Sequence, residues 1–333
     1  ITMYYKNGTK LHITLKDNKG YNLADTPITV TINGVSYNKT TDKNGAVEMN
    51  IYLKPGVYTA TVAYAGNKTI GANSVDAKIT VLPTITGNNI TKMYQNGTHF
   101  FAAFVNGQGK ALANTKVTFN INGVFYTKQT NDKGIANLNI MLRPDHYILT
   151  AYNPVTGDEQ GFSVDVKSLI EASDLTKYYL NASRFQATIY NKDGSLAVNK
   201  EVIYNINGVF YTKTTDENGV ASLGISLRPG NYIITTIVDG LAMGNNVTVM
   251  PTLVTKDLDM KYLDGSDFTA QTLDGQGNPL ANQNVSFNVN GVFYHKVTDK
   301  DGIASLKIRL MSGEYIITSY WNNFQTGNTI KIA

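Results

Sequence analysis

The hexapeptide Ile32-Asn33-Gly34-Val35-Ser36-Tyr37 returns three more times along the chain with little change. The later copies are Ile121–Tyr126, Ile206–Tyr211 and Val289–Tyr294, at intervals of 89, 85 and 83 residues. An Asn-Gly pair between two apolar runs predicts a β-hairpin, because a type I′ turn needs positive φ at both central residues. A regular interval of this length indicates tandem domains rather than one large fold.

Apolar residues around each copy alternate with polar ones, as in Leu11–Leu15 and Ile28–Ile32. A period of two is typical of β-strands with one buried face. Turn residues at Asp42–Gly45 and Lys54–Gly56 separate further runs of the same kind. The sequence therefore predicts an all-β protein of four tandem immunoglobulin-like Greek-key β-sandwich domains, which form an elongated rod.

The predicted domains are repeat 1 (1–83), repeat 2 (84–168), repeat 3 (169–251) and repeat 4 (252–333). Their joints are only a few residues long, so we expect a semi-rigid, monomeric array. Repeat 1 lacks a counterpart of Thr84–Asn89, the leading strand of repeat 2. Either the chain is an excised piece of a longer array, or a neighbouring chain donates that strand.

The composition limits the classes of function. The formal net charge is +4 in 333 residues and only 16% of residues are charged, so no basic stripe indicates nucleic acid. No apolar run is long enough to span a membrane as a helix. The absence of Cys excludes disulfides and thiolate metal sites.

A longer pattern surrounds the hexapeptide. It comprises Asn33-Gly34-Val35 with Tyr37 and Lys39, Thr41-Asp42 with Gly45, and Pro55-Gly56 with Tyr58. This pattern resembles the bacterial-type Ig-like domains of secreted adhesins, and most of all the tandem Ig-like repeats of methanogenic archaeal adhesin-like surface proteins. The resemblance covers all four repeats, with departures at turns such as Asn131 and Asp145. It implies an extracellular, cell-surface stalk or binding array, and supplies no ligand.

Glycosylation sequons of the form Asn-x-Ser/Thr agree with that location, although chance produces some of them in a chain this rich in Asn and Thr. They begin at Asn7, Asn38, Asn67, Asn89, Asn96, Asn181, Asn246 and Asn284.

No catalytic motif is present, and the four His occupy four different repeat positions. We therefore expect a protein that is not an enzyme and has no cofactor. Turns such as Asp17–Gly20 and Asp42–Gly45 leave calcium possible. Calcium, however, needs six to eight oxygen ligands, so ordinary Asx turns explain these residues better.

A Lys follows each motif Tyr by two residues, at Lys39, Lys128, Lys213 and Lys296. Strand parity places each on the core side, where the stem would lie along apolar surface and the ammonium would reach the sandwich end. The alternative is an intramolecular Lys–Asn/Asp cross-link. That reaction needs a buried acid, and none recurs at an inward position.

Two sets of aromatic residues differ in kind. The recurring set follows a turn and is typical of a corner Tyr whose hydroxyl bonds the backbone: Tyr58, Tyr147, Tyr232 and Tyr315. The second set, Tyr320, Trp321 and Phe324, lies in the one region of variable length. These three are either ligand contacts in an exposed loop or a hairpin whose Trp covers the last domain.

The sequence favours an adhesin-like, non-enzymatic surface protein that attaches to an unknown glycan or protein of another cell. Two alternatives remain open. A carbohydrate-binding module would carry stacked aromatic residues and Asn or Asp on one end or face of several repeats, and only repeat 4 shows this. A filament subunit would assemble by strand donation into repeat 1.

Overall fold

The computed structural model describes residues 1–333 and consists of 31 β-strands joined by turns and loops. Repeat 1 contains the strands β1 (Thr2–Tyr4), β2 (Lys10–Thr14), β3 (Pro27–Ile32), β4 (Val35–Thr40), β5 (Ala46–Asn50), β6 (Gly56–Tyr64) and β7 (Asn73–Leu82). Repeat 2 contains β8 (Ile85–Gly87), β9 (Ile90–Met93), β10 (His99–Phe104), β11 (Lys116–Ile121), β12 (Val124–Gln129), β13 (Ile135–Asn139), β14 (Asp145–Tyr152) and β15 (Glu159–Lys167).

Repeats 3 and 4 follow the same order. Repeat 3 contains β16 (Ile170–Ala172), β17 (Leu175–Tyr178), β18 (Arg184–Ile189), β19 (Glu201–Ile206), β20 (Val209–Thr214), β21 (Val220–Gly224), β22 (Gly230–Val238) and β23 (Leu241–Met250). Repeat 4 contains β24 (Leu253–Thr255), β25 (Leu258–Met260), β26 (Asp267–Thr272), β27 (Asn284–Val289), β28 (Val292–Val297), β29 (Ile303–Lys307), β30 (Gly313–Trp321) and β31 (Phe324–Ile332).

Each repeat folds into one larger and one smaller sheet. The larger sheets have five strands, in the orders β1-β7-β6-β3-β4, β9-β15-β14-β11-β12, β17-β23-β22-β19-β20 and β25-β31-β30-β27-β28. The smaller sheets are β2-β5, β8-β10-β13, β16-β18-β21 and β24-β26-β29. The chain passes between the two sheets several times within one repeat, which is the Greek-key sandwich predicted from the sequence.

The core lies between the two sheets because every second residue of the central strands faces inward. In repeat 2, Phe100, Phe104, Phe119 and Leu149 are fully buried. The Asn-Gly hairpins take the expected conformation: Asn33 has a φ of 51° and Gly34 a φ of 76°. Such a turn matches the twist of the flanking strands, so the pairing of β3 with β4 keeps its register.

Repeat 1 has two strands in its smaller sheet where the other repeats have three. The strands β8, β16 and β24 pair with β10, β18 and β26, and β2 has no such neighbour. Ile13 and Leu15 of repeat 1 are consequently only partly buried, whereas their counterparts Ala102 and Phe104 are buried.

The chain divides into two compact units, Ile1–Ser168 and Leu169–Ala333. Each unit contains two of the four repeats. No helix that could cross a membrane occurs in the structure.

Candidate functional site

The four motif Lys residues do not lie inside the sandwich. Lys39 pairs with Ile28 on the face that carries the core, yet Lys39 is exposed, as are Lys128 and Lys296; Lys213 is half-buried. Strand pairing gives these Lys residues the core-side parity, but the opposite sheet does not cover them. The Lys lies on an edge strand of a five-stranded sheet, and the opposite sheet has only two or three strands. The edge strand therefore extends beyond the core, and its inner face meets water.

In repeat 1, a cleft lies beside the part of the edge strand that extends beyond the core. Tyr37 and Lys39 form one side of a cavity of about 320 Å³, and the segment 48–53 forms the other. Glu48, at the far side, already pairs with Lys10 at 2.8 Å. Lys10 holds the pKa of the Glu48 carboxyl below its usual value.

The corner Tyr residues bond the backbone in all four repeats. The hydroxyls of Tyr58, Tyr147, Tyr232 and Tyr315 donate to the carbonyl oxygens four residues earlier, at 3.0, 2.9, 2.8 and 3.0 Å. Each bond closes the turn that precedes the longest hairpin of the repeat.

The terminal aromatic residues surround a tight hairpin rather than a loop. Trp321 pairs with Phe324 across Asn322 and Asn323, which both have positive φ. Trp321 is only 8% exposed and packs in the core of repeat 4, so it is not the exposed anchor that a binding loop would present. Its indole nitrogen donates to Gln283 Oε1 at 3.4 Å.

Tyr320 and Phe324 remain half-buried beside a cleft of about 440 Å³. Arg228 of repeat 3 also lines this cleft, so both repeats of the second unit contribute to it. The Phe324 ring contacts Tyr179 of repeat 3, with 5.7 Å between centroids. The Phe324 ring therefore contributes to the contact between repeats 3 and 4.

The sequons differ in their accessibility. The exposed Asn residues are Asn38, Asn67, Asn89, Asn246 and Asn284, and the partly buried ones are Asn7, Asn96 and Asn181. The side-chain amides of Asn7 and Asn181 donate to Gly107 O and Gly275 O, at 2.7 and 2.5 Å. Attachment of a sugar to either nitrogen would disrupt these contacts.

These two bonds belong to a joint that is built in the same way inside each unit. In the first unit, Tyr4 of repeat 1 lies so close to Gly109 of repeat 2 that a Cβ there would overlap the ring. A Cβ at Gly107 would lie 2.6 Å from Lys6 O. In the second unit, the Tyr178 ring lies against Gly277 in the same manner, whereas a Cβ at Gly275 would meet Asn181 at an ordinary contact distance of 3.4 Å. Glycine is therefore required at Gly107, Gly109 and Gly277, where a Cβ would overlap the neighbouring repeat.

The acidic turns bind their own backbone. Asp17 Oδ1 accepts hydrogen bonds from Lys19 N and Tyr21 N, both at 2.9 Å. Asp42 accepts from Asn44 N and Ala46 N, at 2.8 and 2.9 Å. These are Asx turns. The structure brings together no group of three or more His, Asp or Glu side chains that could hold a metal ion.

Two buried Lys residues were missed by the sequence reasoning. Lys92 and Lys177 are 4% and 5% exposed, although each lies on an edge strand. Lys92 Nζ donates to Ile140 O at 2.8 Å and to Thr98 O at 3.0 Å, and Lys177 makes the equivalent bonds to Ile225 O and Ser183 O. Desolvation by the core lowers the pKa of both ammonium groups.

A sequence signal for these Lys residues exists in the other repeats. The counterparts of Lys92 and Lys177 are Met3 and Met260, both buried. A position that alternates between Lys and Met favours a long side chain with an apolar stem inside the sandwich. The ammonium then links the larger sheet to backbone carbonyls at the end of the smaller one.

A buried Thr also recurs at the end of each hairpin edge strand, at Thr41, Thr130, Thr215 and Thr298, all 2% exposed. In repeat 2 its hydroxyl accepts from Thr115 N at 2.9 Å and donates to Leu112 O at 2.5 Å. The hydroxyl thereby satisfies two backbone groups that the sheet leaves unpaired.

No protein-family model matches the chain. No curated protein sequence matches it either. Solved structures do match over most of their length. A Ca²⁺-stabilised adhesin with which an Antarctic bacterium binds ice is 16% identical, with a TM-score of 0.18, over 100% of this chain and 96% of that one.

Two further solved structures match the chain. The I9–I11 tandem of titin is 15% identical, with a TM-score of 0.29, over 75% of this chain and 99% of that one. Invasin, a bacterial integrin-binding protein, is 14% identical, with a TM-score of 0.24, over 99% and 77%. At these TM-scores the likenesses carry no argument about this chain's fold or ligand.

Proposed function

We propose that this chain is a non-enzymatic, extracellular, adhesin-like surface protein whose repeats act as a tension-bearing stalk and binding array. Its partners would be a glycan or protein on another cell surface, together with further repeats of a longer parent chain. The exposed sequons and the adhesin-like sequence pattern support this location. The observation that carries the proposal is the parallel pairing of the first and last strands in the larger sheet of each repeat.

In every repeat, the first strand of the larger sheet runs parallel to the last one. The pairs are β1 with β7, β9 with β15, β17 with β23 and β25 with β31. Tension along the chain pulls two parallel strands in opposite directions along their length. It therefore loads all their hydrogen bonds together rather than one after another. Such an arrangement suits a protein that must stay folded while it joins two surfaces.

Single-molecule force measurements test this role. The chain has no Cys, so one engineered Cys and a C-terminal tag define the pulling points. Lys256→Cys places a handle just before β25 and shears β25 against β31. Ser312→Cys is the matched control, because Gly313 pairs with Ile332 and the handles then unzip β30 from β31 one pair at a time. Both side chains are exposed, so neither substitution disturbs the core.

We expect a several-fold higher unfolding force for Lys256→Cys than for Ser312→Cys at one loading rate, because forced unfolding follows the barrier along the pulling direction. Full-length chains pulled at their ends should unfold in four steps. Each step should release about 300 Å of chain, at roughly 3.5 Å per residue. Equal forces in the two directions would contradict a tension-bearing design.

A further inference from the structure

A row of four residues crosses the outer face of the larger sheet in repeat 2. Phe125 lies opposite Asn120, Asn120 opposite Thr150, and Thr150 opposite Gly161. The same four residue types lie in the same order in repeat 3, at Phe210, Asn205, Thr235 and Gly244, and in repeat 4, at Phe293, Asn288, Thr318 and Gly327. We call each of these three sets an outer row.

The fold does not require these side chains. Their chain neighbours Phe119 and Leu149 face the core, so the outer rows face solvent. Phe125, Phe210 and Phe293 are 67%, 67% and 55% exposed. Burial does not account for a phenyl ring that recurs three times at one exposed position, and aromatic residues are enriched where proteins make contacts.

The polar members of the outer rows are open to a ligand. The Asn and Thr side chains of all three rows are half-buried and form no hydrogen bond within the protein. Repeat 1 differs at the same four positions. There Thr31 bonds Ser36 at 2.9 Å and Thr61 bonds Asp76 at 2.7 Å, and no aromatic residue is present. In repeat 1 these side chains therefore bond one another, whereas in the other three repeats the Asn and Thr side chains have no partner within the protein.

The side chains of an outer row carry no charge. It offers an amide, a hydroxyl and an apolar ring face, and the Gly at its end adds no side chain. A nucleic acid or an acidic glycan would need Lys or Arg at such a site. A neutral sugar matches the row, because its hydroxyls both donate and accept hydrogen bonds while one face of its ring is apolar.

We propose that the outer rows of repeats 2, 3 and 4 are binding sites for neutral glycans. This inference rests on the proposed role as a binding array and identifies its ligand class. A single exposed row binds weakly, and three rows on one chain raise the apparent affinity for a polymeric or surface-bound glycan.

The test is binding of the full chain to immobilised oligosaccharides of six or more units. The probes are neutral hexose and N-acetylhexosamine polymers, with uronic acid and sialic acid polymers for comparison. The variant combines Phe125→Ala, Phe210→Ala and Phe293→Ala. The control combines Tyr21→Ala and Tyr52→Ala, which removes aromatic rings that are 70% and 86% exposed in repeat 1.

We expect the native chain and the Tyr control to bind at least one neutral polymer, and the triple variant to bind about tenfold less or weaker still. Thermal unfolding should be the same for all three, since exposed rings add little stability. Binding only to acidic polymers, no binding to any neutral polymer, or equal binding by the triple variant would overturn the inference.

A protein partner is the competing occupant, and cell binding distinguishes it. Periodate treatment of the target cells destroys sugar rings and should abolish binding; loss on protease treatment alone would assign the rows to a protein. The force measurement above needs no ligand, so the stalk function can hold when the glycan inference fails.

Discussion

Replacement of Lys92 tests how a charged group is tolerated inside the sandwich. Lys92→Met copies the residue that the chain itself uses at the equivalent positions, Met3 and Met260. The Met stem fills the same channel but cannot donate to Ile140 O and Thr98 O. Lys92→Ala removes both the ammonium and the stem, so the two variants separate the charge from the packing.

The magnitudes follow from two opposing terms. Leaving buried carbonyls without a donor costs about 1–3 kcal/mol, whereas burying an ammonium costs several kcal/mol in desolvation. These terms nearly cancel, and we expect Lys92→Met to change the free energy of unfolding of repeat 2 by less than about 2 kcal/mol at pH 7. Lys92→Ala also opens a cavity and should lower that free energy by about 2–5 kcal/mol.

The two proteins should also differ in their pH dependence. Burial lowers the pKa of Lys92 in the folded state below its ordinary value of 10.5. Between the folded pKa and 10.5, the unfolded chain binds a proton that the folded chain has lost. The native protein therefore gains stability relative to Lys92→Met as the pH rises toward 10.5.

Amide hydrogen exchange read by mass spectrometry resolves the repeats separately, because each opens with its own free energy. Repeat 4, with Met260 in the same position, provides the internal control. A difference between native and Lys92→Met protein that stays constant from neutral pH to 10.5 would refute the reasoning, as would equal losses in the Ala and Met variants.

Three further substitutions test structural roles. Tyr147→Phe removes the hydrogen bond from the Tyr147 hydroxyl and should lower the free energy of unfolding of repeat 2 by about 1 kcal/mol, measured with denaturant. An unchanged unfolding midpoint would show that this bond does not stabilise the repeat. Thr130→Val leaves two buried backbone groups unpaired and should cost about 2 kcal/mol in the same assay; a loss below a few tenths would count against it. Gly107→Ala should loosen the joint between repeats 1 and 2, because the new Cβ would lie 2.6 Å from Lys6 O. Energy transfer between labels on these repeats should broaden for Gly107→Ala and not for Gly97→Ala, where a Cβ meets nothing within 4 Å.

Local patterns in the sequence were sufficient for the fold. Alternation with period two and the Asn33-Gly34 turn depend on a few neighbouring residues, so the strands, their hairpins and the four-fold repetition could be read directly. The corner Tyr58 is equally local, since its hydroxyl bonds a carbonyl only four residues away.

Whether the opposite sheet covers a given side chain could be decided only from the tertiary structure. Lys39 and Lys92 both lie on edge strands with core-side parity, yet Lys39 is exposed and Lys92 is buried. The position of a residue in a strand determines which face of the sheet its side chain occupies. It does not determine whether another part of the protein packs against that face. That depends on strands far away in sequence, whose number differs between the two sheets. For the same reason Trp321 is part of the core of repeat 4, and the Phe, Asn and Thr of an outer row, which come from three separate strands, meet only when the sheet has formed.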